Sequence, residues 1–227
     1  MRQPLRIALL LSLAVAGLAP QPSAASAPSP QQVVDRIVAR VEDDIITLSE
    51  VRELAAYQQL IDGHSEPYDR LLNELIEQWV VTNEATAAQF PPVGESEISR
   101  QIEQIKNRFP SPAAYNARLA ALGIAPETVR RIVALQTYLA RYLDYKFRPA
   151  VQVDDDAIAK YYREQLAPAL ATKKEAVPPL DEVRDQIAEL LIQQGVNDRA
   201  ASWFEETKSR LKIEIVPDGA ASLKATP

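Results

Sequence analysis

Cysteine is absent from this chain. Without it there are no disulfides, no thiol redox chemistry, no thiolate metal site and no anchor point for a thioether-linked lipid, so packing has to hold the fold. Histidine occurs once, at His64 beside Gly63, which leaves no pair of imidazoles for a relay or a metal. The six glycines are scattered as punctuation and form no phosphate-cradling loop; Walker, Rossmann and serine-hydrolase signatures are likewise missing. Past the N-terminal segment no apolar run approaches the roughly 20 residues that span a bilayer as a helix. Excess positive charge is absent too. The formal net charge is -6, and such a surface repels phosphate backbones, which argues against nucleic acid as a partner.

What is present begins with a secretory pattern. Arg2 and Arg6 precede an apolar run from Ile7 to Leu18, and a Pro, Ser and Ala stretch ends in Ala24, Ala25, Ser26 and Ala27. A basic head, a short apolar segment and a small-residue cleavage site make residues 1–25 a signal peptide. Cleavage after Ala25 is preferred, because a cut after Ala27 would place Pro28 next to the scissile bond. The apolar run is too short for a retained anchor. Removal of the two arginines leaves 23 basic against 31 acidic residues. The expected mature protein is soluble, with a flexible start over 26–33 and a disordered tail over 217–227.

In between, the pattern predicts a mainly α fold with a small β-sheet. Ile37, Ala39 and Val41 alternate with Arg36 and Arg40, Glu42 to Asp44 make a turn, and Ile45 to Leu48 is a second β-prone run, giving an N-terminal hairpin. Leu211, Ile213 and Ile215 alternate at the far end. An isolated hairpin is marginal in water, so pairing the two ends into one sheet is the simplest way to stabilise both. The rest has helical period. Ser49 is read as the cap of a helix closed by Gly63; Pro67 opens a long helix halted by Pro91 and Pro92; Ser111 with Pro112, and Pro126 at a first turn, start two more. Asp154 caps a short helix through Tyr161 and Tyr162. Residues 164–179, rich in Ala, Lys and Pro with no strong period, read as a linker. The last helix, from about Leu180 to Arg210, is interrupted at Gly195, taken as a kink or break.

The order of these features resembles the SurA family of periplasmic chaperones. The resemblance is carried by VDRIVARVEDDIITLSEVREL (34–54), YDRLLNELIEQWVVTNEA (68–85), GESEISRQIEQIKNRF (94–109), the ALGI turn (121–124), VDDDAIAKYYREQ (153–165) and PPLDEVRDQIAELL with the closing KIEIV strand (178–216). It implies an N-terminal chaperone domain over 34–163, completed by the helix and strand over 180–216. Parvulin-type isomerase domains are implied between YYREQ and PPLDEV, but only about 15 residues separate the two, far short of the roughly 100 residues a domain needs. The expectation is therefore a non-enzymatic, ATP-independent periplasmic holdase for unfolded polypeptides, with outer-membrane protein precursors implied as clients and no cofactor. Two other readings stand beside it: a peptidyl-prolyl isomerase relative with residual activity, and an assembly scaffold with one dedicated partner. A homodimer through swapped terminal strands is left open.

Tyr57, Phe109, Tyr115, Tyr142, Tyr161 and Trp203 are the candidate client contacts, because aromatics give large apolar area at low entropic cost and Tyr tolerates water. Ordinary core packing is the competing role for each. Asp154 to Asp156 resemble a cation site in composition alone; acidic residues that open a helix far more often cap its free N–H groups, so no metal is assigned. His64 reads as a solvated loop residue.

Overall fold

A computed structural model describes residues 35–217; the expected signal peptide, the segment to Val34 and the tail from Asp218 lie outside the described residues. The chain is mainly α with a three-stranded antiparallel sheet, as the pattern predicts. Strands β1 (Ile37–Val41) and β2 (Asp44–Thr47) form the hairpin, and β3 (Ile213–Ile215) pairs antiparallel with the other edge of β1, giving the order β2-β1-β3. The register slips by one between Ile37 and Ala39. Val38 and Ala39 are therefore both fully buried although they are neighbours.

The two ends of the chain are clasped at the turn. Glu42 takes the left-handed conformation (φ 52°), its amide donates to the Lys212 carbonyl at 2.9 Å, and its side-chain Oε1 accepts from the Lys212 amide at 2.8 Å. The positive φ of the turn expected over Glu42 to Asp44 falls on its first residue. Val216 N then donates to Val38 O at 2.9 Å.

Among the described residues eight α-helices lie between β2 and β3 in chain order. They are α1 (Leu48–Asp62), α2 (Tyr68–Ala87), α3 (Glu95–Lys106), α4 (Pro112–Leu122), α5 (Pro126–Phe147), α6 (Asp155–Tyr161), α7 (Ala167–Lys173) and α8 (Leu180–Lys208). The cap of α1 is Thr47 rather than Ser49: Glu50 reaches back to accept from the Thr47 amide at 2.7 Å. Ser49 instead donates from its hydroxyl and its amide to the carboxylate of Asp35. Desolvation works against ionising Asp35, but the Ser49 and Thr47 hydroxyls with the Ser49 and Arg36 amides outweigh it, holding the carboxyl below its ordinary value. Gly63 and Gly123 end α1 and α4 in the left-handed region that only glycine adopts without strain.

The core has three adjoining parts. The sheet packs with Leu48, Val51 and Leu54 of α1 against Leu71, Leu72 and Ile76 of α2. The far halves of α1 and the first half of α5 enclose α3 and α4 around Tyr57, Tyr115, Leu119 and Val129. The second halves of α2 and α5 meet the end of α8 around Val80, Val81, Leu139, Tyr142 and Phe204.

Two expectations are corrected. Residues 164–179 are not an irregular linker: α6 runs into a π-helical turn over Tyr162–Leu166 and on through α7. The wide turn falls just before Pro168, where a plain α-helix would drive the ring into the Glu164 carbonyl. Only the stretch from Lys174, itself left-handed at φ 58°, to Pro179 is non-helical, and the Tyr162 hydroxyl donates to Pro178 O at 2.8 Å. Gly195 breaks nothing: α8 passes through it. It lets α8 approach Val151, for a Cβ at 195 would stand 2.6 Å from Val151 Cγ1.

Candidate functional site

The surface of α5 and α8 carries a line of open clefts, and their lining follows from which faces the core leaves uncovered. Between α2, α5 and α8 lies a cleft of about 250 Å³ walled by Val81, Leu139, Leu143 and Phe204, with Ala140 and Gln136 along α5 and Glu74, Glu77 and Gln78 along its α2 rim. Ala140 and Leu143 also belong to a second cleft of about 680 Å³, which continues along α5 past Tyr145 and Arg148 to Gln193 and Asn197 of α8. The two form one groove. From Gln136 to Arg148 it follows α5 for about 18 Å, the reach of five or six extended residues. Tyr145 stands on it 66% exposed, with its ring 5.4 Å from Phe90.

A further apolar cleft, about 220 Å³, opens between the α6–α7 arm and the start of α8, lined by Tyr161, Leu166, Leu170, Val183, Ile187 and Leu190. Leu190 is 41% exposed there. On the opposite side of α8, Phe147, Val151, Gly195 and Trp203 line a polar-edged hollow with Asp198, Arg199 and Glu206.

The electrostatics of the groove are uneven. Glu77 accepts from Lys208 Nζ at 3.5 Å. Glu74 is half-buried and accepts only amide donors, Gln58 Nε2 at 2.9 Å and Gln78 Nε2 at 3.2 Å; no cation among the described residues pairs with it. Desolvation, with the nearby Glu77 and Glu66 carboxylates, pushes the Glu74 carboxyl above its ordinary value against those two donors. At the other end Arg148 grips Glu189 with two bonds, 2.5 and 3.1 Å, and Asp144 at 2.7 Å, fastening α8 to the end of α5.

The expected contact aromatics divide. Tyr57, Tyr115 and Tyr142 are buried, at 8%, 5% and 3% exposure, and their rings fill the core instead of offering a surface: each lies on the inward face of its helix. Phe109 is half-buried and packs edge-on against Tyr115 at 5.4 Å. Tyr161 lines the α6–α8 cleft. Trp203 is half-buried against Phe147, with Lys146 Nζ 4.6 Å above its ring. The groove residues Ala140, Leu143 and Tyr145 were missed, because an apolar stripe does not reveal which flank a neighbouring helix leaves open. Asp154 caps α6 by accepting from Ala157 N at 2.8 Å, Asp155 pairs with Arg184, and His64 Nδ1 lies 3.1 Å from the carbonyl of Asp62 at the end of α1.

No helix among the described residues is long and apolar enough to cross a membrane. No protein-family model matches the chain. The chain is similar to Chaperone SurA of Ralstonia nicotianae, 30% identical over 162 residues; the match covers 66% of this chain and 32% of that protein, so the chain spans about a third of the length of the curated relative it matches.

Proposed function

We propose that this protein is a periplasmic, ATP-independent chaperone that holds unfolded polypeptides, outer-membrane protein precursors foremost, on the groove along α5 and α8. The carrying observation is the pairing of an open, partly apolar groove, with an exposed Tyr145 and a half-buried Leu143 on it, with similarity to a chaperone. A surface of this kind binds by weak burial spread over several contacts. It is promiscuous because area, rather than directed hydrogen bonding, supplies the affinity. An acidic protein that coats a client also makes the complexes repel one another, which delays aggregation. No catalytic step is needed in this reading, and acceleration of prolyl isomerisation is not expected.

The test is suppression of aggregation. The purified chain should reduce light scattering from a β-barrel precursor diluted out of urea, at near-stoichiometric ratio and without nucleotide. Unchanged scattering across a tenfold excess sinks the proposal. A pulldown of periplasmic proteins that returned one tight partner rather than many weak ones would point to a dedicated scaffold.

A further inference from the structure

The groove between α2, α5 and α8 has a floor of one kind and a rim of one sign. Its floor is aliphatic and aromatic: Val81, Leu139, Leu143 and Phe204. Its α2 rim carries two carboxylates, and these are in different situations. Glu77 is occupied by Lys208, which also reaches Asn73 at 3.1 Å and Glu205 at 2.6 Å. Glu74 has amide donors and acidic neighbours but no cation among the described residues.

We infer that the groove selects extended polypeptide segments in which a lysine or arginine adjoins a large apolar residue, the apolar side chain lying on Leu143 and Phe204 and the cation meeting Glu74. A half-buried carboxylate has given up part of its hydration, and a cation brought to it restores the lost stabilisation where the local dielectric is low. An isolated ammonium or metal ion would leave the apolar floor uncovered. A bare hydrocarbon segment would leave the carboxylate uncompensated and more deeply buried. Lysine and arginine satisfy both surfaces, since their methylene stems lie on apolar walls while the charged head reaches the rim. The net charge of -6 adds long-range attraction for such segments and speeds encounter. The rim also gives direction: Glu74 stands at one end of the groove, and at the other Arg148 is already neutralised by Asp144 and Glu189. Arg141, also on the groove, faces Glu97 at 3.6 Å, so an acidic segment meets only cations that already have carboxylate partners among the described groove residues.

This inference rests on the chaperone reading, and the experiment separates the two. Three fluorescently labelled peptides share one extended, Ser-spaced sequence with a central Leu and differ only in the flanking residue, Lys, Gln or Glu. Their binding to the full chain is followed by anisotropy, and the same preparation is assayed for suppression of precursor aggregation. The Lys peptide is expected to bind about threefold to fivefold more tightly than the Gln peptide, the scale of one solvent-screened ion pair, and the Glu peptide more weakly than either. Glu74→Gln removes the Lys-over-Gln preference and Glu74→Lys reverses it in favour of the Glu peptide, with unchanged helicity by circular dichroism showing that both variants fold. Equal binding of the three peptides, or a Lys preference that survives Glu74→Gln, overturns the inference while the chaperone reading stands. Suppression of aggregation without binding of any peptide does the same, and loss of both overturns both.

Discussion

Val151 rests against the bare backbone of Gly195, so close that any side chain at 195 would begin 2.6 Å from Val151 Cγ1. This contact joins the segment after α5 to the middle of α8 and so fixes the helix that forms one wall of the groove.

The contact decides the sign of a substitution that helix propensity alone gets wrong. Gly195→Ala in a free helix would stabilise by about 0.5–1 kcal/mol, but overpacking against a stiff β-branched side chain costs about 1–3 kcal/mol. A net loss is expected, lowering Tm by about 2–6 °C for a domain of this size. Gly195→Ala combined with Val151→Ala should recover most of it. Calorimetry of the two variants checks this; a single variant more stable than the parent contradicts the close approach.

The cap that Asp35 supplies to α1 from outside the helix should appear as a pH dependence. Its carboxyl titrates below the ordinary value in the folded chain, so the ionised form favours the native state. The contribution is present above the unfolded pKa of about 3.9 and is lost as pH falls through the lower folded value. Asp35→Ala should cost about 0.5–1 kcal/mol at pH 7, the scale of a helix cap, and the difference from the parent should shrink in acid. Urea titrations at pH 7 and pH 3 measure it; an equal difference at both pH values contradicts the assignment.

Arg148 and Glu189 act as a clasp more than as a source of stability. Both are solvent-exposed in part, so Tm should change little in Arg148→Ala. The two-pronged grip holds Glu189 below its ordinary pKa and fastens the first half of α8 to α5. Hydrogen exchange over residues 180–193 should therefore quicken in Arg148→Ala, and in the parent at high salt, where screening weakens the pair. Unaltered exchange in that stretch would show that packing alone holds the helix.

Much of the fold was legible because punctuation and period agree. Pro67, Ser111 with Pro112, Gly123 and Pro126 mark real boundaries, and the alternation in Ile37 to Val41 and Leu211 to Ile215 marks strands that do pair. The misreadings share one cause: each position is decided by a distant partner. Gly195 is a break in sequence and a contact in space. Residues 162–173 bury no side chain and turn only a few apolar ones, Leu166 and Leu170 among them, toward α8, too few to announce a helix, and Pro168 is accommodated by a π turn that no spacing announces. Tyr57, Tyr115 and Tyr142 are amphipathic residues on mixed faces, and whether such a face is covered depends on α3, α4 and α8, which sequence places only in order. Glu74 is ordinary in sequence and distinctive only where the cleft and its amide neighbours meet.

In the proposed function, clients lie along α5 and α8. Photo-crosslinking residues placed singly at Ala140, Tyr145 and Leu190, all exposed on the groove or the adjoining cleft, are compared with exposed positions away from it, Gln104 on α3 and Asp156 on α6. With a urea-diluted β-barrel precursor, the first three should form client adducts and the last two should form few. Equal yields at all five positions, or adducts concentrated at Gln104 and Asp156, would contradict the account.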